Sequence, residues 1–95
     1  MTRSDDWTWE FRPPAERAFE GLDTTIQRRI VSKLDEIVTD KWRDPPEYIE
    51  PLSGVPHGKI RIGDFRLGAS ADRDRRTAVV YDIEHRSGAY RPGDD

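Results

Sequence analysis

Two kinds of apolar periodicity follow one another along this chain, and their order restricts the folds that it can adopt. Between residues 26 and 38 the apolar side chains recur every three or four positions, which predicts an amphipathic helix. Between residues 59 and 84 they alternate with polar side chains, which predicts strands with one buried face. A shorter alternating stretch at residues 7–11 and a shorter helical pattern at residues 15–22 come first. The predicted order of elements is therefore β-α-α-β-β-β.

The helical part is predicted to be a hairpin of two helices. Gly21 breaks the helical pattern, and Asp23 or Thr24 can cap the second helix. A connection of two or three residues brings the helices together as antiparallel neighbours. Trp42 ends the second helix and is expected to pack on the core. Residues 43–58 hold four of the seven prolines and predict an extended connection without a regular element.

The C-terminal part is predicted to be a meander of three strands. Gly63-Asp64 and the charged residues 72–76 form the turns, so that neighbouring strands pair antiparallel. The fold class is α+β, with the helical hairpin packed on a mostly antiparallel four-stranded sheet. At 95 residues the chain has room for a single domain, residues 1–95.

Composition excludes several classes of protein. Hydrophobic residues make up 34% of the chain and charged residues 37%, so the core must be small. The chain has no cysteine, which excludes disulfide bonds, cysteine-ligated zinc and a thiol nucleophile. No apolar run approaches the roughly 20 residues of a membrane-spanning helix, and the first residues lack the apolar core of a signal peptide. We therefore expect a soluble cytoplasmic protein.

The formal net charge of −3 is distributed unevenly along the chain. Residues 1–56 carry eight basic and twelve acidic side chains, a net charge of −4, whereas residues 57–91 carry eight basic and five acidic ones, a net charge of +3. The acidity therefore does not exclude a nucleic-acid partner for the sheet. Asp outnumbers Glu twelve to seven and Arg outnumbers Lys thirteen to three, as expected for either a salt-adapted host or a GC-rich genome.

Strand alternation places three cations on one face of the predicted sheet. Lys59 and Arg61 alternate with apolar neighbours in one strand, and Arg66 lies opposite the apolar face of the next. This arrangement is typical of an ordinary solvated sheet face. The alternative is a hollow that attracts anions, because three small residues of the neighbouring strands leave space there. Those small residues are Gly68, Ser70 and Ala78.

Three motifs give the chain a family resemblance. They are residues 52–54 (Leu-Ser-Gly), residues 59–67 (Lys-Ile-Arg-Ile-Gly-Asp-Phe-Arg-Leu) and residues 79–86, which end in His-Arg and precede a tyrosine. With the predicted order of elements, they resemble the RelE/ParE toxin superfamily of prokaryotic type II toxin–antitoxin systems. The resemblance implies a microbial-ribonuclease-like fold, an antitoxin partner and a toxin–antitoxin hetero-oligomer.

RelE-type members of this family are mRNA interferases that cut the codon in the ribosomal A site. The resemblance therefore implies a ribosome-dependent endoribonuclease, with the ribosome and mRNA as partners and no metal or cofactor. By the same resemblance, Lys59 and Arg61 face the scissile phosphate, and Arg66 binds phosphate and is a candidate proton donor. The resemblance also implies that Arg86 stabilises the transition state, and that Tyr90 stacks on a base and is a candidate general base. The RNA-binding set that it implies is Lys59, Arg61, Arg66 and Arg86.

Other residues and alternative functions stay open from the sequence. His85 and His57 are auxiliary candidates for proton transfer, although structural roles are the simpler interpretation of both. The two histidines lack a third ligand at a spacing that would bind metal. Arg61 stands where well-characterised catalytic relatives carry lysine, which weakens the catalytic assignment. Two alternatives to the endoribonuclease are open. The chain could be a ParE-type inhibitor of DNA gyrase, or a catalytically weak member that mainly binds its antitoxin.

Overall fold

The computed structural model describes residues 6–54 and 57–85, whose elements follow the predicted order with two additions. The helices and strands are β1 (Thr8–Phe11), α1 (Pro13–Glu20), α2 (Thr24–Thr39), β2 (Glu50–Pro51), β3 (Gly58–Ile62), β4 (Phe65–Asp72) and β5 (Thr77–His85). The predicted α+β class is confirmed. The additions are β2 and a 3-10 helix at Pro45–Tyr48, both in the segment that was expected to hold no element.

The strands form one sheet in the order β1-β5-β4-β3-β2. β1 pairs parallel with β5, and the other pairs are antiparallel, so the sheet is mostly antiparallel as predicted. The sheet has five strands rather than four because β2 adds a two-residue pairing along β3. Within the described ranges, no helix is both long and apolar enough to cross a membrane.

The core lies between the helical hairpin and one face of the sheet. Asp23 caps α2 by accepting a hydrogen bond from the Ile26 backbone N–H at 3.1 Å, and two prolines open α1. The apolar stripe of α2 then joins one buried cluster with side chains of β3, β4 and β5. The largest fully buried side chains are Ile30, Leu34, Ile37, Leu67 and Val80. Neither α1 nor α2 packs on the opposite face of the sheet, which is called the outer face below.

The turn after α2 differs from the prediction. Trp42 is 91% exposed instead of packing on the core. Asp40 causes this by organising the turn locally: its Oδ1 accepts hydrogen bonds from the backbone N–H groups of Trp42 at 2.7 Å and Arg43 at 3.2 Å. The Tyr48 hydroxyl donates to Asp40 Oδ2, and the Arg43 guanidinium lies 4.4 Å from the centre of the Tyr48 ring. These contacts tie the turn to the 3-10 helix and leave the indole in solvent.

Replacing Tyr48 with phenylalanine should lower stability at neutral pH, with a difference that shrinks in acid. The Tyr48 hydroxyl and the turn N–H groups hold the pKa of Asp40 below its ordinary value. Because the pKa of Asp40 is lower in the folded than in the unfolded protein, its ionisation stabilises the folded protein fully at pH values above the unfolded pKa of about 3.9. This stabilisation is lost as the pH falls through the folded pKa. Urea unfolding of both proteins between pH 2 and pH 7 measures the difference. A difference that grew toward low pH would contradict this assignment.

Candidate functional site

Three cations of the outer face converge beside the turn between β3 and β4. Arg61 lies directly opposite Arg66 in the antiparallel register, and Lys59 lies opposite Gly68. Lys59, Arg61 and Arg66 line a concave site of about 190 Å³ together with Gly63 and Phe65. We call these five residues the cationic site. Strand alternation explains why they meet, because the intervening residues of both strands face the core.

Carboxylates from neighbouring strands partly neutralise the cationic site. Arg66 Nη2 lies 2.9 Å from Glu84 Oε1 on β5, and Lys59 Nζ lies 3.9 Å from Glu50 Oε1 on β2. Arg61 is exposed and has no ion pair within the described residues. Exposed ion pairs such as that of Arg66 with Glu84 contribute only about 0–1 kcal/mol, so an incoming phosphate can displace Glu84 at little cost. Arg61 is thus the cation with the least compensated charge.

Neutralising Glu84 should strengthen the binding of RNA. A Glu84→Gln variant frees the Arg66 guanidinium from its 2.9 Å ion pair, and we expect up to roughly fivefold tighter binding. Fluorescence anisotropy with a labelled 2′-O-methyl RNA 12-mer, which cannot be cleaved by its own 2′-oxygen, measures the affinity. Glu20→Gln removes the same charge from the exposed end of α1 and is the matched control. An equal gain in both variants would attribute the effect to net charge alone.

A second cluster occupies the outer face next to the cationic site. Asp82 Oδ1 accepts a hydrogen bond from the Gly68 backbone N–H at 3.0 Å. A Cβ atom at Gly68 would lie 2.5 Å from this oxygen and 3.6 Å from His57 Cδ2, so both side chains cover the glycine. The His57 and Tyr81 rings lie 5.3 Å apart, and the Tyr81 hydroxyl is 3.0 Å from Ser70 Oγ.

The prediction of a hollow lined by Gly68, Ser70 and Ala78 is therefore wrong. His57 and Asp82 fill the space above Gly68, and Ala78 is fully buried rather than exposed on the outer face. The concave site lies instead at the hairpin end of β3 and β4.

A bulge in β5 explains why alternation failed here. Gly68 pairs with Asp82 and Ala69 pairs with Val80, which leaves Tyr81 as an extra residue in β5. Both Tyr81 and Asp82 therefore face outward, whereas regular alternation would place them on opposite faces. The available sequence signal was Gly68, because an isolated glycine within a strand often marks a bulge.

The remaining predicted site residues are placed only in part. The His85 ring packs edge-to-face on Phe65 with 5.3 Å between ring centres, and His85 pairs with Phe65 across β4 and β5. His85 thus contacts a residue that lines the cationic site. Arg86 and Tyr90 lie outside the described residues, and their roles stay predictions.

Comparison with solved structures gives RelE-type toxins as neighbours over nearly the whole fold. The RelBE2 toxin–antitoxin complex of Mycobacterium tuberculosis contains a chain that superposes with a TM-score of 0.70 and 25% identity, covering 85% of this chain and 99% of that one. The RelE–RelB complex of Pyrococcus horikoshii gives a TM-score of 0.67 at 18% identity, over 88% and 99% of the two chains. The intact RelBE complex of Escherichia coli gives 0.65 at 19%, over 90% and 99%. The chain therefore has the RelE-type fold, and its resemblance to the RelE/ParE toxin superfamily is confirmed.

Sequence comparison is less informative. No protein-family model matches the chain. The chain is 40% identical over 58 residues to the 30 kDa polypeptide of the DNA-directed RNA polymerase of Variola virus, and 40% identical over 57 residues to the Monkeypox virus counterpart. These matches cover 60% and 59% of the chain, but the chain spans only about 22% of the length of either viral polypeptide.

Proposed function

We propose that this chain is the toxin of a type II toxin–antitoxin system and acts as a ribosome-dependent endoribonuclease on mRNA in the A site. The observation that carries the proposal is the convergence of Lys59, Arg61 and Arg66 on one concave site of a RelE-type fold. The neighbouring chains from Mycobacterium tuberculosis and Pyrococcus horikoshii were solved in toxin–antitoxin or RelE–RelB complexes, which supports an antitoxin partner here. The reaction would take place in the cytoplasm, on translating ribosomes.

The proposed chemistry is an internal displacement at phosphorus. The ribose 2′-oxygen forms a bond to the adjacent phosphorus as its proton passes to a general base, and the bond from phosphorus to the 5′-oxygen breaks. The 5′-oxygen takes up a proton, so that the products are a 2′,3′-cyclic phosphate and a 5′-hydroxyl. Negative charge builds up on the non-bridging oxygens in the transition state. Fixed cations within contact distance of these oxygens would stabilise it.

The cations differ in what they can do within this scheme. Arginine keeps its proton in proteins, so Arg61 and Arg66 suit stabilisation of charge rather than proton transfer. Lys59 is the residue of the cationic site that can donate a proton to the leaving oxygen, and its side chain is only 17% exposed. Tyr90 remains the proposed general base and Arg86 a further stabilising cation, both from the family resemblance.

Primer extension on mRNA after induction of the protein tests the proposal. The expected result is a set of new 5′ ends within codons that occupied the A site. Purified protein added to translating ribosomes should generate the same ends. Intact mRNA with arrested replication would favour a ParE-type gyrase inhibitor instead. Unchanged toxicity after Arg86→Ala and Tyr90→Ala would favour a member that acts by binding alone.

A further inference from the structure

We propose that His57 and Tyr81 form a stacking subsite for one unpaired RNA base, next to the phosphate held by the cationic site. This inference rests on the proposed RNA substrate and assigns a second part of the binding surface. The two rings are in contact, with 5.3 Å between their centres and 39° between their planes. Every nucleobase has a π-face that can stack on such a surface, whatever the sequence.

The bulge in β5 makes Tyr81 available for this contact. As the extra residue of the strand, Tyr81 points outward without interrupting the pairing on either side of it. Tyr81 is 38% exposed, and Trp42 is the other exposed large hydrophobic residue within the described ranges. The hydroxyl is fixed by its 3.0 Å hydrogen bond with Ser70 Oγ, so the ring is held in place before any ligand arrives. A ring fixed in advance loses little conformational entropy when a base stacks on it.

The position of His57 links the aromatic surface to the cationic site. His57 precedes Lys59 by two residues, a separation of about 6–7 Å along an extended chain. Its ring lies over Gly68, which is the residue opposite Lys59 in the neighbouring strand. A nucleotide whose phosphate contacts Lys59 can therefore place a base over the rings without a change in the sheet. Lys59 is thus adjacent to both parts of the surface.

Charge separates the two parts of the outer face. The cationic site carries three positive side chains, whereas the aromatic part carries the Asp82 carboxylate beside two rings. A phosphate placed over Asp82 would meet like charge, so the aromatic part favours a base rather than a second phosphate. The Gly68 N–H is already hydrogen-bonded to Asp82 Oδ1 at 3.0 Å, and this oxygen is therefore partly satisfied. The face is thus suited to a phosphate on one side and an uncharged ring on the other.

Binding of two matched oligomers tests this inference. One probe is a fluorescein-labelled 2′-O-methyl RNA 12-mer of mixed sequence, and the other carries the same phosphates on abasic units. The wild-type protein should bind the first roughly five- to hundredfold more tightly, which is the range expected for stacking of one base. Tyr81→Ala and His57→Ala should each reduce this difference, and Tyr81→Phe should keep it because the ring remains. Trp42→Ala removes a ring that is 91% exposed in the turn after α2 and should change nothing.

The outcomes separate this inference from the proposed function. If Arg61→Ala weakens binding of both probes while Tyr81→Ala and His57→Ala leave the difference intact, the stacking subsite is wrong and phosphate binding stands. If the wild-type protein binds both probes equally, the subsite is also wrong. A difference that depends on Tyr81, together with mRNA that stays uncut on ribosomes, would support the subsite and overturn the nuclease. Circular dichroism shows whether each variant is folded. If Tyr81→Ala is unfolded, the binding of the two probes by His57→Ala decides whether the stacking subsite exists.

Discussion

Replacing Arg61 with alanine should lower the rate of mRNA cleavage on programmed ribosomes by roughly 10²–10³-fold, the usual effect of removing one preorganised charge stabiliser. Arg61 is the cation of the site without an ion pair in the described part of the chain, so its full charge is available to the phosphate. The measurement is a single-turnover cleavage assay with end-labelled mRNA. Folding should be unaffected, because the side chain is exposed.

Two further variants determine how specific this effect is. Arg17→Ala removes the same charge from an exposed position on α1 and should leave cleavage unchanged. Arg61→Lys keeps the charge and should retain most of the activity if Arg61 acts electrostatically. A loss in Arg61→Lys as large as that in Arg61→Ala would instead show that the planar guanidinium is required. Full activity in Arg61→Ala would exclude Arg61 from the reaction.

Gly58→Ala should damage both stability and the site. A Cβ atom at Gly58 would lie 2.2 Å from the Glu50 carbonyl oxygen and 2.7 Å from Ile49 Cγ2, so the pairing of β2 with β3 cannot persist unchanged. Overpacking of this kind typically costs about 1–3 kcal/mol. Because Gly58 immediately precedes Lys59, we also expect weaker RNA binding. Urea unfolding and anisotropy with the 2′-O-methyl 12-mer measure the two effects.

Gly21→Ala is the matched control for this prediction. Gly21 ends α1 with φ −84° and ψ −4°, a right-handed conformation that alanine adopts without strain. Its stability should be equal to that of the wild type or slightly higher, since alanine restricts the unfolded chain. If Gly58→Ala were as stable as Gly21→Ala, the close approach of β2 to β3 would not constrain this position.

The long elements could be predicted because their signals are local. The stripe that includes Ile30, Leu34 and Ile37 repeats over four turns of α2, and Asp23 marks its start. In contrast, β2 consists of two residues whose pairing depends on β3 being in place. The exposure of Trp42 depends on the hydrogen bonds of Asp40, which no apolar pattern reveals. The formation of β2 and the exposure of Trp42 therefore depend on contacts in the folded chain that apolar periodicity does not reveal.

The candidate site could be predicted to a similar extent. Strand alternation brought Lys59, Arg61 and Arg66 to one face, and the structure places them around one concave site. Their carboxylate partners were not predictable in the same way. Glu84 meets Arg66 only because of the register between β4 and β5, and Glu50 meets Lys59 only because β2 forms. Cross-strand register is a property of the assembled sheet, and a single sequence specifies it weakly wherever a bulge intervenes.

Because Tyr81 lies in a bulge, its ring can be present or absent without changing how the rest of the sheet pairs. Tyr81 is the unpaired residue between Val80 and Asp82, and the pairs on both sides of it are regular. Removing this residue would convert β5 into an ordinary strand, with Val80 still opposite Ala69 and Asp82 still opposite Gly68. The aromatic ring is in this sense an insertion that the sheet accommodates. Relatives of this chain could gain or lose such a ring by a one-residue change in length while keeping the cations of β3 and β4 in register.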